Sequence, residues 1–205
     1  ILIGPDVWRN TDYTNPEFKE EPRLFRSWKA KAESLGFRVK VGRWNIKGNP
    51  IVILVDYTTF MSQRNEIFTK FWEEFQLDSL SGQWDYIESA LFGYASAKVI
   101  ESFVRFHGAH NTKAIAHFHE WMTGTGLLYL KSVNVPIATV FTTHATVIGR
   151  CIAGNNLPLY DGMMNWNADE KARHFNVVAR HSLEKKAAQN SDIFTTVSDI
   201  TAQEC

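Results

Sequence analysis

Cysteine is scarce in this sequence: two in 205 residues, Cys151 and the terminal Cys205. Such a pair builds no disulfide framework, and a reducing cytoplasmic setting is the simplest expectation. An excess of either charge is missing as well. Lys plus Arg and Asp plus Glu number 22 each, so there is none of the basic surplus on which nucleic-acid affinity rests. No apolar run approaches the roughly 20 residues that cross a bilayer, so no membrane partner is expected. Ile1 opens the chain without Met and without a basic leader, which argues against a secretory signal. The missing Met, and a closing TAQEC that stops where a helix would begin, lead us to expect a trimmed piece of a longer chain. Two catalytic signatures are also absent. No G-x-x-x-x-G-K followed by Ser or Thr occurs, which excludes a P-loop enzyme, and no G-x-S-x-G, which argues against an α/β-hydrolase.

What the sequence has in quantity is apolar and aromatic surface: 44% hydrophobic residues, seven Trp and fourteen Phe. Over 205 residues that suits one sizeable domain with a well-buried core. Strand and helix patterns alternate, which predicts an α/β fold with a parallel sheet flanked by helices. Strands are expected at Ile1–Ile3, Phe37–Val41, Arg43–Ile46 and Ile51–Asp56, the last as a continuously apolar IVILV run buried on both faces. A helix is expected over Leu24–Leu35, ended by Gly36. Phe60–Ser81 reads as an irregular excursion with helical pieces. Trp84–Phe106 repeats apolar residues every four positions, a helix with Gly108 as its stop. Three further strands are expected at Ala114–Phe118, Ile137–Thr142 and Ile193–Val197. A long helix over Ala168–Gln189, capped by Asn167, should precede the last of them.

In an open α/β sheet, ligands bind beyond the carboxyl ends of the strands. The residues just past the β runs are therefore the candidates: His119, Glu120 and Trp121, then Gly124 and Gly126; Thr143, His144 and Thr146, then Arg150; Ser198 and Asp199. Each has a plain alternative. His117 and His119 share one side of a strand and could form a metal site with His144, or could simply bond to neighbouring backbone. Arg150 could face a ligand or a surface carboxylate. Gly124 and Gly126 could cradle a phosphate or ease packing, and Trp121 suits a core better than a ligand stack.

At these loops the sequence resembles a known family. AHFHEW (116–121), TVFTTHATVIGR (139–150) and IFTTVSDITAQE (193–204), with GRWNIKGNPIVILVD (42–56), are similar in content and order to the animal and fungal type of glycogen synthase. The resemblance implies a single, truncated N-terminal Rossmann-like domain over 1–205, one half of a two-domain GT-B fold whose nucleotide-binding half lies outside this chain. It implies a retaining, metal-independent transfer of glucose from UDP-glucose or ADP-glucose to the non-reducing end of an α-1,4-glucan such as glycogen, with no cofactor. His119 would line the donor-sugar pocket with His144 beside it, and Arg150 would help neutralise the donor phosphates. His117, Glu120, Thr143 and Thr146 would complete the substrate-binding set, with Glu120 in an orienting role. No D-x-D pair for a metal-held diphosphate is present, so cations and backbone N–H groups would face the leaving group. Between Asn155 and Asp169 the sequence departs from the family pattern, leaving that loop's acceptor contacts open. The intact protein leaves room for a homo-oligomer. Two rival readings remain at this point: a metal-dependent hydrolase using His117, His119 and His144, and a non-catalytic glucan-binding module suggested by the aromatics.

Overall fold

The IVILV run forms β4 (Ile51–Val55), an inner strand with all but its first residue buried. In the computed structural model, which describes residues 1–9, 15–108, 113–162 and 166–205, β4 lies between β1 (Leu2–Pro5) and β3 (Val39–Trp44). A short strand, β2 (Phe18–Glu20), completes this four-stranded sheet in the order β1-β4-β3-β2. Only β1 runs parallel to β4, and β3 is antiparallel to both neighbours. The expected parallel sheet gives way to a mixed one here for a local reason. Gly48 and Asn49 take positive φ values of 90° and 43°, so the chain reverses in a tight hairpin, and two strands joined that closely must be antiparallel. The two strands expected at Phe37–Val41 and Arg43–Ile46 are one strand for a related reason. Gly42 continues the ladder because β2 crosses so close that a Cβ there would run into the Lys19 carbonyl.

A second, fully parallel sheet has the order β5-β6-β7, from Ile115–His119, Ala138–Thr143 and Ile193–Thr196. These match the three late β runs within a residue or two at each end. Its crossovers are helical, as parallel strands require. α4 (Gly124–Ser132) and α5 (Val147–Gly154) follow β5 and β6, and α6 (Ala168–His174) with α7 (Val178–Asn190) lead into β7. The long helix expected over Ala168–Gln189 is thus two helices. Asn176, at φ 56°, breaks it, while Asn167 caps α6 by accepting the Glu170 N–H at 3.0 Å. A last helix, α8 (Asp199–Glu204), follows β7.

Between the sheets in sequence, α1 (Arg26–Ser34) ends before Gly36 at φ 87°. The segment expected to be irregular is instead a 3-10 turn (Tyr57–Gln63) running into a twelve-residue helix, α2 (Arg64–Phe75). Its aromatic residues Phe68 and Phe71 lie on one face and pack against α3, Phe71 facing Tyr94 and Phe68 facing Tyr86. α3 (Trp84–His107) is buried along most of its length and touches both β1 and β4 as well as α4. One continuous apolar core runs from Trp28, Val41 and Ile53 through Leu91 and Val99 to Leu127, Phe141 and Leu183. The molecule is a mixed α/β structure with a parallel sheet flanked by helices. Among the described residues no helix is long and apolar enough to cross a membrane.

Candidate active site

The carboxyl ends of β5 and β6 bring five of the seven candidate side chains together. Parallel register pairs His119 with Thr142, so the residues just beyond, Glu120 and His144, emerge side by side. His119 Nδ1 lies 3.4 Å from His144 Nε2, so one ring donates and the other accepts. The His117 ring sits 4.1 Å from that of His119. His117 Nε2 is within 2.7 Å of the Thr142 hydroxyl, which in turn is 2.6 Å from the Thr195 hydroxyl. A polar line therefore crosses all three parallel strands beneath the histidine pair.

Glu120 organises the rim. Its backbone N–H continues the ladder to the Thr142 carbonyl at 2.9 Å. Its carboxylate accepts the His144 backbone N–H at 2.9 Å and stands 3.6 Å from the Arg150 guanidinium. Its own backbone sits at φ 62°, ψ 162°, a region that side-chain-bearing residues occupy at a cost of order 1–3 kcal/mol and that clusters at functional sites. Arg150 projects from the first turn of α5. Its Nε has only a long 3.4 Å contact to the Ala145 carbonyl, and its side chain is 59% exposed. It is a cation held in place with most of its donors facing out.

Partial burial and the neighbouring rings disfavour a charge on His119. Burial pulls the His119 pKa below the ordinary 6.5, the neighbouring His117 and His144 pull it further, and Glu120 pulls the other way. A ring in that state can give or accept a hydrogen bond without carrying charge.

Two candidates face elsewhere. Thr143 is fully buried, and its hydroxyl donates to Glu184 Oε1 at 2.9 Å. Thr146 caps α5, accepting the Gly149 N–H at 2.9 Å. Glu184, in mid-α7, was invisible to a reading that looked only past strand ends. Its one signal in the sequence was that it is the only acid in α7. Burial pushes its carboxyl pKa up, against the Val147 and Thr143 hydrogen bonds that lower it. Gly124 and Gly126 serve packing: a Cβ on Gly126 would stand 2.6 Å from the Gly93 carbonyl oxygen and 2.7 Å from the Phe118 ring. Trp121 stacks on Tyr86 with rings 6° from parallel. Among the described residues no three His, Cys, Asp or Glu side chains are grouped as a metal ion would need. The Asn155–Asp169 loop is described except for residues 163–165.

Fold and site together define an α/β protein with a polar cluster, two imidazoles and a guanidinium, at the carboxyl edge of a parallel sheet. A family profile described as glycogen synthase matches residues 1–205. The chain is 39% identical over 169 residues to a glycogen (starch) synthase of Dictyostelium discoideum, covering 82% of this chain and 19% of that protein. It is 34% identical over 193 residues to that of Neurospora crassa, covering 93% and 26%. It is 33% identical over 212 residues to glycogen (starch) synthase isoform 2 of Saccharomyces cerevisiae, covering 99% and 30%. The chain belongs to the glycogen synthase family, and it spans less than a third of the length of these relatives.

Proposed function

We propose that this chain is the N-terminal, acceptor-side part of a retaining GT-B glucosyltransferase. The intact protein would move glucose from UDP-glucose or ADP-glucose onto the non-reducing end of an α-1,4-glucan, without a metal and in the cytoplasm. The observation that carries this reading is the convergence of His119, His144, Glu120 and Arg150 at one sheet edge, in a chain matched by the family profile from end to end.

The chemistry fits the residues. Glycosyl transfer passes through an oxocarbenium-like state in which positive charge grows on the sugar and negative charge on the leaving group. A neutral His119 can orient sugar hydroxyls without adding positive charge beside the ring. The outward guanidinium of Arg150 can meet the departing diphosphate, a kind of contact worth about 3–4 kcal/mol when fixed in advance. The Arg150 contact grows with the charge on the leaving group, so it is stronger in the transition state than in the ground state, which is the requirement for acceleration.

In the full-length protein, His119→Ala and Arg150→Ala should each lower glucosyl transfer about 10²–10³-fold with an unchanged melting temperature. Near-normal turnover in both variants would sink the site assignment. Stoichiometric zinc by elemental analysis would favour a hydrolase instead. Residues 1–205 alone should transfer no glucose, because the second half of the proposed cleft is not among them.

A further inference from the structure

The turn between β6 and α5 carries His144, and Arg150 follows one turn into the helix. Both ends of this turn are tied to one side chain on a different helix. Glu184 Oε1 accepts the Thr143 hydroxyl at 2.9 Å, and Oε2 accepts the Val147 N–H at 2.8 Å. Thr143 is the last residue of β6 and Val147 the first of α5, so one carboxylate bridges strand end and helix start. Glu184 is 6% exposed and Thr143 0%, which places both bonds in a low-dielectric interior where charge-assisted bonds are strong.

An acid here is held against its own desolvation. A well-packed apolar side chain would fill the same space without that penalty, and the neighbours on this face of α7, Leu183 and Ala187, are apolar and fully buried. Packing therefore gives no reason for a carboxylate, whereas the turn does. A cavity of about 340 Å³ adjoins Glu184, but both of its oxygens are engaged by the turn. On the open side Glu120 accepts the His144 N–H. The turn is thus held from beneath at its ends and from the rim at its middle.

We infer that Glu184 is a positioning residue for glucosyl transfer: through Thr143 and Val147 it sets where His144 and Arg150 stand, without touching substrate. The inference rests on the transferase reading above. Displacement of a fixed group by about 1 Å can lower a rate about 10²-fold, and an interaction that matters only in the transition state lowers kcat and kcat/KM together.

The test uses the full-length protein. Glu184→Ala should lower kcat about 10²-fold, with KM for donor and glucan changed less than about threefold. Glu184→Gln should restore kcat to within about threefold of the parent. Its carbonyl can accept the Val147 N–H while its NH₂ donates to a Thr143 hydroxyl turned around. Val41→Ala, in the other sheet, provides a comparable loss of stability and should leave kcat unchanged. A Glu184→Ala protein with parental kcat, or one losing activity only as Val41→Ala does, overturns the inference and leaves the transferase reading standing. If Glu184→Ala does not fold, Glu184→Asp decides. One methylene shorter, it cannot span both partners, and should lower kcat about tenfold at constant KM; an unchanged kcat overturns the inference. A parent protein that transfers no glucose overturns the transferase reading, and this inference with it.

Discussion

The Glu120 carboxylate accepts the backbone N–H of His144 at 2.9 Å from a backbone whose own φ is 62°. The two facts oppose each other in stability. The conformation is disfavoured by about 1–3 kcal/mol for any residue but glycine, and a hydrogen bond to a charged group returns about 1.5–3 kcal/mol. Glu120→Gly removes both terms and should change unfolding free energy by less than about 1 kcal/mol. Glu120→Ala keeps the strain and loses the bond, so it should be less stable than the glycine variant by about 1 kcal/mol or more. Urea unfolding of the two proteins checks the order; an alanine variant as stable as the glycine one removes strain from the account. Under the transferase proposal, both should lose about 10²-fold in glucosyl transfer in the full-length protein, since the His144 backbone and Arg150 lose their common partner.

The imidazole pair gives a prediction in pH. His119 is held below 6.5 by burial first, then by His117 and His144. A histidine with a lowered folded pKa contributes stability that is present above 6.5 and is lost as pH falls through the lowered value. His144→Gln removes one of the neighbours that lower the His119 pKa but leaves the burial, so the His119 titration should move up part of the way towards 6.5. NMR titration of the ring protons reads this directly. No movement, or movement downward, means that the two rings do not interact as described.

Much of the parallel sheet was legible because its strands are apolar runs ended by polar turns, and α/β topology supplied the place to look for a candidate site. The four-stranded sheet was less legible. Its edge strand β2, three residues long, lies outside every β run read from the sequence, and its hairpin turns on positive φ at Gly48 and Asn49. The break between α6 and α7 was hidden because Asn176 adopts a left-handed conformation inside an otherwise helical pattern. Glu184 was hidden for a different reason. Its partners lie 41 and 37 residues away in sequence, so only the packed structure reveals what a mid-helix acid holds. Thr143 looked like a ligand contact by position, and one rotamer turns its hydroxyl inward.

The packing role of Gly126 can be tested against the alternative of a phosphate cradle. α3 and α4 cross so closely that the Thr125 hydroxyl donates to the Ala90 carbonyl at 2.6 Å, and Gly126 faces Gly93 across the same contact. Gly126→Ala must push back helix backbone and the Phe118 ring, an overpacking cost of about 1–3 kcal/mol. The melting temperature should fall while KM for the sugar-nucleotide donor stays constant. A rise in that KM without loss of stability would give Gly126 to the ligand instead.

Asp192 ties the start of β7 to the start of β6. Its Oδ2 accepts both the Thr139 N–H at 2.7 Å and the Thr139 hydroxyl at 2.9 Å, while Lys131 approaches Oδ1 at 2.5 Å. Lys131 first, and then the two Thr139 bonds, lower its pKa to about 2. A carboxylate lowered in this way contributes stability that is present above its ordinary value of 3.8 and is lost as pH falls through about 2. The side chain is 44% exposed, so solvent screens the ion pair and the backbone bond is the larger contributor. Asp192→Ala should cost about 1 kcal/mol at neutral pH, and the difference from the parent should shrink between about pH 4 and pH 2. Lys131→Met, which removes only the exposed cation, should cost less than half as much. Equal losses from the two substitutions in urea unfolding would mean that the ion pair, rather than the Thr139 bonds, joins these strands.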